Sequence, residues 1–316
     1  MSDVAPGGVW VTGAGGLIGH ACVMVAGMGV GANAGKHGRD GLEPWVPWPG
    51  ADRLGGRARP LTRSEVDLAD FRAVERLFAR ERPTGVIHCA ARSRSPACQA
   101  DPAGARLQNV AVTRRLAELA AEIPMVFLSS DLVFDGRRNG AEGGYQEDDG
   151  VNPLSVYAET KVEAESWVRR NPRHAIVRTS LNFGRSPSGP GAFNEELAAA
   201  WRAGRVVDLF VDEFRCPIAA VETARRLWAL LDSGQGGVFH LAGSERLSRY
   251  EIGRLVAEDL RRSDPDLVMP MRAGSLAGYS GAPRAPDTTL DCSKLATLLG
   301  EPMPAFTAWL RGGDRG

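Results

Sequence analysis

Lysine is scarce in this chain of 316 residues: Lys36, Lys161 and Lys294 stand among 38 basic residues, and the rest are arginine. Each lysine is therefore informative. Acidic residues also number 38, so the formal net charge is zero and no global field attracts nucleic acid or an anionic membrane. Cysteine is sparse too. Cys22, Cys89, Cys98, Cys216 and Cys292 are odd in number, scattered and without a C-x-x-C pair. That pattern argues against a disulfide framework and against zinc, and no metal is expected. A long membrane-type apolar run is missing as well. The nearest approach, residues 8–34, has no basic segment before it, is broken by recurrent glycine and contains His20. It reads as a buried strand, turn and helix rather than a signal or a span. These absences point to a reducing, cytoplasmic setting with neither nucleic acid nor membrane as partner.

Present instead is a rhythm of strand and helix. Val9-Trp10-Val11 is a short apolar run entering the turn Thr12-Gly13, and a helix is expected from Leu17 to about Met28. Residues 29–56 are rich in Gly and Pro without a clean period and read as a long loop or insertion. A second strand is expected over Arg57–Leu61, then a helix over Ala69–Glu81 with Phe71, Val74, Leu77 and Phe78 on one face. Strands over Gly85–His88, Met125–Ser129 and Ala175–Arg178 alternate with helices over Arg106–Glu122 and Val156–Arg169. Such alternation predicts an α/β fold, a doubly wound parallel (Rossmann) sheet with right-handed crossovers. After Ser180 the rhythm changes. A smaller α/β C-terminal substrate domain is expected over 181–316, with segments around 217–243 returning to the 1–180 sheet. Within it, helices are expected over Phe193–Arg202 and Val221–Leu231 and from near Ser248, strands over Val206–Phe210 and Gly237–Ala242, and a Gly/Pro-rich stretch over 270–286.

Thr12-Gly13-Ala14-Gly15-Gly16-Leu17-Ile18-Gly19 lies between the first strand and first helix. Three glycines have three tasks there. Gly13 permits the tight turn, Gly16 lets a diphosphate approach the backbone, and Gly19 lets the helix pack on the strand. The helix N-terminus, with Leu17 and Ile18 in its first turn, offers free N–H groups and the positive end of a dipole. The second strand ends in Leu61-Thr62-Arg63, without the acid that usually meets a free ribose 2′-OH. Arg63 suits a 2′-phosphate and favours NADP(H), the other reading being a solvated surface arginine.

Tyr157 and Lys161 lie four apart at the start of a helix, so they share a face. A free tyrosine titrates near pH 10; a neighbouring ammonium is expected to lower that value and to reach a nicotinamide ribose. Ser129-Ser130 ends the run Met125–Leu128, where a parallel sheet presents its C-terminal strand ends to a ligand crevice. A hydroxyl there can donate to a carbonyl oxygen as negative charge develops. His88-Cys89 reads as buried core, and Leu116, Leu119 and Ala120 as the core face of a helix.

With these residues in place, the sequence resembles the extended short-chain dehydrogenase/reductases, and within them the dTDP-4-dehydrorhamnose reductase branch. The resemblance rests on the TGAGGLIG turn, VIHCAA (86–91), CQADP (98–102), NVAVT (109–113), SSDLVFDG (129–136), PLSVYAETK (153–161), VRTS (177–180), DEFRCPI (212–218) and RAPDTTL (284–290). It implies Ser130, Tyr157 and Lys161 as catalytic residues, Tyr157 being the proton donor. It also implies that the ends of its fourth and fifth strands, Ala90, Ala91 and Ser129, line the cofactor, and that Asn109 supports them from the helix beneath. Arg215 and Arg284 fall in segments that face substrate, where a guanidinium can hold a nucleotide diphosphate. The implied activity is NADPH-dependent reduction of a keto group on a nucleotide-activated deoxysugar, with a homodimer left open. Leu132, and Leu181-Asn182-Phe183, depart from the family's aromatic residues near the sugar. A sugar-nucleotide epimerase or dehydratase, and a non-catalytic subunit like the regulatory β-subunit of methionine adenosyltransferase, are the alternatives.

Overall fold

Val9-Trp10-Val11-Thr12 is buried along its whole length and lies one strand in from the edge of a parallel sheet. The structure, a computed structural model, describes residues 7–27, 58–138, 140–189 and 191–312. Six strands form one parallel sheet among them: β1 (Val9–Thr12), β2 (Ala58–Leu61), β3 (Gly85–His88), β4 (Met125–Ser130), β5 (His174–Thr179) and β6 (Gly237–Leu241), in the order β6-β5-β4-β3-β1-β2. Trp10 pairs with Arg59 on one side and Val86 on the other. Pro60 lies in β2, at the sheet edge, where its missing N–H costs no ladder bond to an outer neighbour.

The two-residue alternation of a strand divides the core into two layers. Val9 and Val11 pack with Cys22, Val25, Leu227 and Trp228 from the helices Leu17–Gly27 and Ala220–Ser233. Trp10 packs on the opposite face with Val74, Val112, Leu116, Phe127 and Val168. Both layers bind β1 to segments far away in sequence; the Trp228 indole also donates to the Cys22 carbonyl at 2.9 Å. A further buried cluster, with Phe183, Leu197, Trp201, Leu209, Ile252 and Phe306, lies beyond residue 180. Around it are the helices Phe193–Arg202 and Arg249–Ser263 and the parallel pair Val207–Phe210 with Met271–Gly274.

Element ends moved slightly from expectation. The second strand starts at Ala58 and the fifth runs from His174 to Thr179; Met28, Arg57 and the loop expected over 29–56 lie outside the described residues. Asp70 caps the next helix by accepting from Ala73 N, so that helix begins at Phe71 rather than Ala69. The single helix expected over Arg106–Glu122 is three pieces: Pro102–Arg106, a π-helical turn over Leu107–Ala111, and Val112–Leu119. Asp101 starts the first piece by accepting from Gly104 N at 2.9 Å. The π turn adds a residue to the helix and swings Asn109 inward. Met271–Gly274 is a strand inside the stretch read as Gly/Pro-rich. Counting described strands, the two ends named above as fourth and fifth are the third and fourth, because the chain runs from β2 through one helix directly to β3.

Strand order reverses at β1: β2 lies on one side of it and β3 on the other. In an open parallel sheet that reversal opens a crevice above the C-terminal strand ends. Among the described residues, no helix is long and apolar enough to cross a membrane.

Candidate functional site

The crevice is a cleft of about 2010 Å³ that runs from the glycine-rich turn to Arg284. Its near end shows which glycines the fold itself demands. Gly13 has φ +69°, and a Cβ there would lie 2.7 Å from Ala90 N on the neighbouring strand end. A Cβ on Gly19 would lie 2.2 Å from the Gly13 carbonyl oxygen. Gly16 differs: its Cβ would meet Gly13 O at an ordinary 3.4 Å, and one on Gly15 would meet nothing within 4 Å. Packing thus leaves these two positions free, and a side chain would fill open space at the N-terminus of the Leu17–Gly27 helix. The first amides of that helix have no intrahelical acceptor. The cradle fits a dinucleotide diphosphate. Leu17, Ile18, Ala90 and Ala91 line the same cleft, as does Arg63, which is exposed and has no ion-pair partner among the described residues.

The cleft floor is stitched from below. Thr12 Oγ1 is hydrogen-bonded to His88 Nδ1 at 2.6 Å and accepts from Ala90 N at 3.2 Å, joining the ends of β1 and β3. His88 is fully buried, and burial, followed by the charge of Lys161, brings its pKa down to about 3, so it is a neutral structural imidazole. Asn109 accepts from Arg92 N at 2.7 Å and donates to Arg92 O at 3.1 Å and Thr160 Oγ1 at 2.9 Å. One amide thereby fixes the loop after β3 to the helix that carries Tyr157.

Ser155 caps that helix, Val156–Val168, and Tyr157 and Lys161 follow one turn apart, both buried at the cleft floor. Lys161 Nζ donates to Leu128 O at 2.9 Å and lies 4.8 Å above the Phe127 ring. Ser130 lies close to Tyr157 at the cleft floor, and its hydroxyl donates to Asp131 Oδ1 at 3.2 Å. The three residues expected to act together are therefore brought together. Ser129 faces the other way. Its hydroxyl donates to Glu165 at 2.6 Å within the buried Glu165–Arg178 pair, leaving its backbone to face the cleft.

The expected electrostatics need correction. Lys161 was expected to lower the Tyr157 pKa. Instead, burial raises Tyr157 well above the usual phenol value, the nearby Ser130 hydroxyl offsets part of this, and the Asp131 charge adds to it. Lys161 Nζ is 5.9 Å from the Tyr157 ring centre and is committed to the Leu128 carbonyl. Its own pKa is brought down to about 8, chiefly by burial. Desolvation outweighs the ammonium, and Tyr157 is a firmly protonated phenol.

At the far end, Arg215 and Arg284 do meet, on a residue that sequence reasoning missed. Glu213 is fully buried and receives Arg284 at 2.6 and 2.9 Å, Arg215 at 3.0 Å and Arg249 at 3.0 Å. Arg249 was also missed, because nothing in an arginine-rich sequence marks it. Asp131 is the third omission. It accepts from Ser180 and Thr288, both at 2.8 Å, tying the late RAPDTTL segment to the residue beside Ser130. Leu132, where an aromatic was expected from the resemblance, packs against Tyr157 and Cys98. Among the described residues, no three His, Cys, Asp or Glu side chains are grouped to hold a metal.

Comparison with known proteins was made against this geometry. The chain matches the family described as the RmlD substrate binding domain over residues 50–312. It is 30% identical over 259 residues to methionine adenosyltransferase 2 subunit beta of Bos taurus, covering 78% of this chain and 75% of that one. It is also 30% identical over 228 residues to a dTDP-4-keto-6-deoxy-D-glucose reductase of Streptomyces niveus, covering 71% and 77%. Among solved structures, a dTDP-4-dehydrorhamnose reductase from Bacillus anthracis in complex with NADP superposes with a TM-score of 0.78 at 19% identity, covering 98% of both chains.

Proposed function

The chain belongs to the RmlD substrate binding domain family, and on that premise we propose that it is an NADPH-dependent reductase of a keto group on a nucleotide-activated deoxysugar. The observation that carries this reading is the convergence of Ser130, Tyr157 and Lys161 on the floor of one cleft. In this proposal the sheet and the glycine-rich turn hold the dinucleotide. Gly13, Gly16 and Gly19 with Leu17 and Ile18 cradle its diphosphate, Arg63 meets a 2′-phosphate, and Ala90, Ala91 and the Ser129 backbone flank the rest. Residues beyond Ser180 form the substrate-binding lobe, with Arg215 and Arg284 facing the nucleotide sugar.

When bound, NADPH supplies the hydride. The chain's residues supply the proton and the field. Ser130 donates to the substrate oxygen and orients it as negative charge develops. Tyr157, held protonated by burial, gives its proton to that oxygen. Lys161, on the same helix face, anchors the ribose of the cofactor with its remaining N–H groups.

The relatives named as methionine adenosyltransferase subunits support a second reading, in which the fold serves as a partner module. The assembled Ser130–Tyr157–Lys161 site favours the enzyme. An epimerase or dehydratase, with a retained cofactor, would use the same trio. The deciding experiment compares oxidation of NADPH and NADH by the purified protein with dTDP-4-dehydrorhamnose. Turnover with NADPH supports the proposal, cofactor that co-purifies through extensive washing favours the epimerase, and a stoichiometric partner without turnover favours the module.

A further inference from the structure

The chain beyond Phe183 reaches back across the cleft before it enters the helix Phe193–Arg202. Ser188 Oγ donates to Gly15 O at 3.1 Å, joining the second lobe to the glycine-rich turn across 173 residues of sequence. The start of this loop touches the same cradle at another point. Gly184 lies so near the first residue of the helix Leu17–Gly27 that a Cβ on it would stand 3.3 Å from Leu17 Cδ1. Ser186, Ser188 and Gly189 line the cleft beside Gly15, Gly16 and Leu17. Space remains beneath them, since a Cβ on Gly15 would meet nothing within 4 Å. The peptide between Gly15 and Gly16 is thus held at both ends. Its oxygen takes the Ser188 hydroxyl, and its N–H donates to Gly13 O at 2.8 Å.

The base of the loop is firmly tied and its tip lightly held. Asn194 accepts from Gly184 N at 3.3 Å and donates to Gly184 O at 3.0 Å. Glu195 accepts from Ser186 N at 2.9 Å, Gly191 N at 3.0 Å and Ala192 N at 2.9 Å, so one carboxylate gathers the outgoing and returning backbone. Hydrogen bonds to an ionised acceptor are the strong kind. Ser188 and Gly189, by contrast, are exposed, and the Ser188 bond to Gly15 is one between neutral groups. Gly189, at φ +99°, turns the chain where a side chain would strain it. A rigid base with a weakly fastened tip has two accessible positions, closed on the turn and lifted from it.

We infer that residues 184–189 form a strap over the cofactor's diphosphate, with Ser188 as its latch on Gly15 and Glu195 as the positioning residue of its base. The cofactor enters and leaves when the latch is released. The inference rests on the proposed reductase reading and deepens it. A reductase exchanges spent cofactor in every turnover, so opening of the strap belongs to its cycle, whereas an enzyme that regenerates its cofactor in place can keep the strap shut.

The test is stopped-flow fluorescence of NADPH binding and release by the full chain and by Ser188→Ala, Ser188→Thr and Glu195→Gln, with thermal unfolding alongside. Ser188→Ala should release NADPH roughly two- to tenfold faster, the worth of one neutral hydrogen bond, and bind it no more slowly. Ser188→Thr keeps the hydroxyl and should restore slow release. Glu195→Gln should speed both entry and release, because the base no longer holds the loop across the cleft. If folded variants differ from the unmodified protein in melting temperature alone, with both rates unchanged, the inference is overturned. Should Glu195→Gln fail to fold, Ser188→Ala still decides, since it alters an exposed tip. Gated NADPH binding without turnover of dTDP-4-dehydrorhamnose would leave the strap standing and refute the reductase reading. An unmodified protein that binds neither NADPH nor NADH would refute both.

Discussion

Alanine at each of three glycines should separate what the fold needs from what a ligand needs. At Gly13, φ of +69° costs an L-residue roughly 1–2 kcal/mol, and the added Cβ would stand 2.7 Å from the backbone of Ala90. At Gly19 the Cβ would be 2.2 Å from the Gly13 carbonyl oxygen; two stretches of backbone cannot both give way cheaply, and overpacking of this kind costs about 1–3 kcal/mol or more. Both variants should therefore unfold at lower urea. Gly16→Ala should not, because its nearest neighbour would lie at 3.4 Å. Its methyl group would instead occupy the place where a diphosphate approaches the helix N-terminus. Losing one charge-assisted hydrogen bond of about 1.5–3 kcal/mol weakens binding roughly tenfold to 150-fold. The assay pairs urea unfolding with fluorescence titration of NADPH. If Gly16→Ala binds NADPH as tightly as the unmodified protein, the diphosphate does not rest on this turn. If it unfolds as readily as Gly19→Ala, the reasoning from packing is wrong.

Tyr157→Phe should cut turnover by orders of magnitude in a steady-state assay while NADPH titration stays nearly unchanged; an active variant would remove Tyr157 as the proton donor. Lys161, with its pKa brought down to about 8, should make NADPH affinity fall as pH rises through that value, and Lys161→Met should flatten the titration curve. Glu213 is held near pKa 2 against an ordinary 4.5, its three arginine partners outweighing burial. Its contribution, about 3 kcal/mol, is fully present above pH 4.5 and lost as pH falls toward 2. Urea midpoints at pH 7 and pH 4 should therefore differ less for Glu213→Gln than for the unmodified protein, and an equal difference would refute the assignment.

What the sequence made legible, and what it hid, follows from the range of the interactions. The sheet, the glycine-rich turn and the Tyr157–Lys161 pair are local patterns: apolar runs, fixed glycine spacing and a four-residue helical step. They survive being read one segment at a time. The π turn at Leu107–Ala111 does not, because one extra residue in a helix leaves the apolar rhythm nearly intact while turning Asn109 toward Arg92, 17 residues earlier. Tyr157 shows the limit more sharply. Its spacing to Lys161 was right, yet the sign of the shift was not, since burial is a property of the assembled floor and there outweighs a charge four residues away. The far end of the cleft was the least legible. Glu213, Arg249 and Arg284 come from separate segments, and in a chain whose cations are nearly all arginine no single one stands out. Scarcity made Lys161 visible and abundance concealed Arg249, so a sequence reading of this chain is strongest where the chemistry uses its rarest residues. At the substrate end the meaning lies in convergence, and there a buried carboxylate that collects arginines is a better guide than any arginine alone.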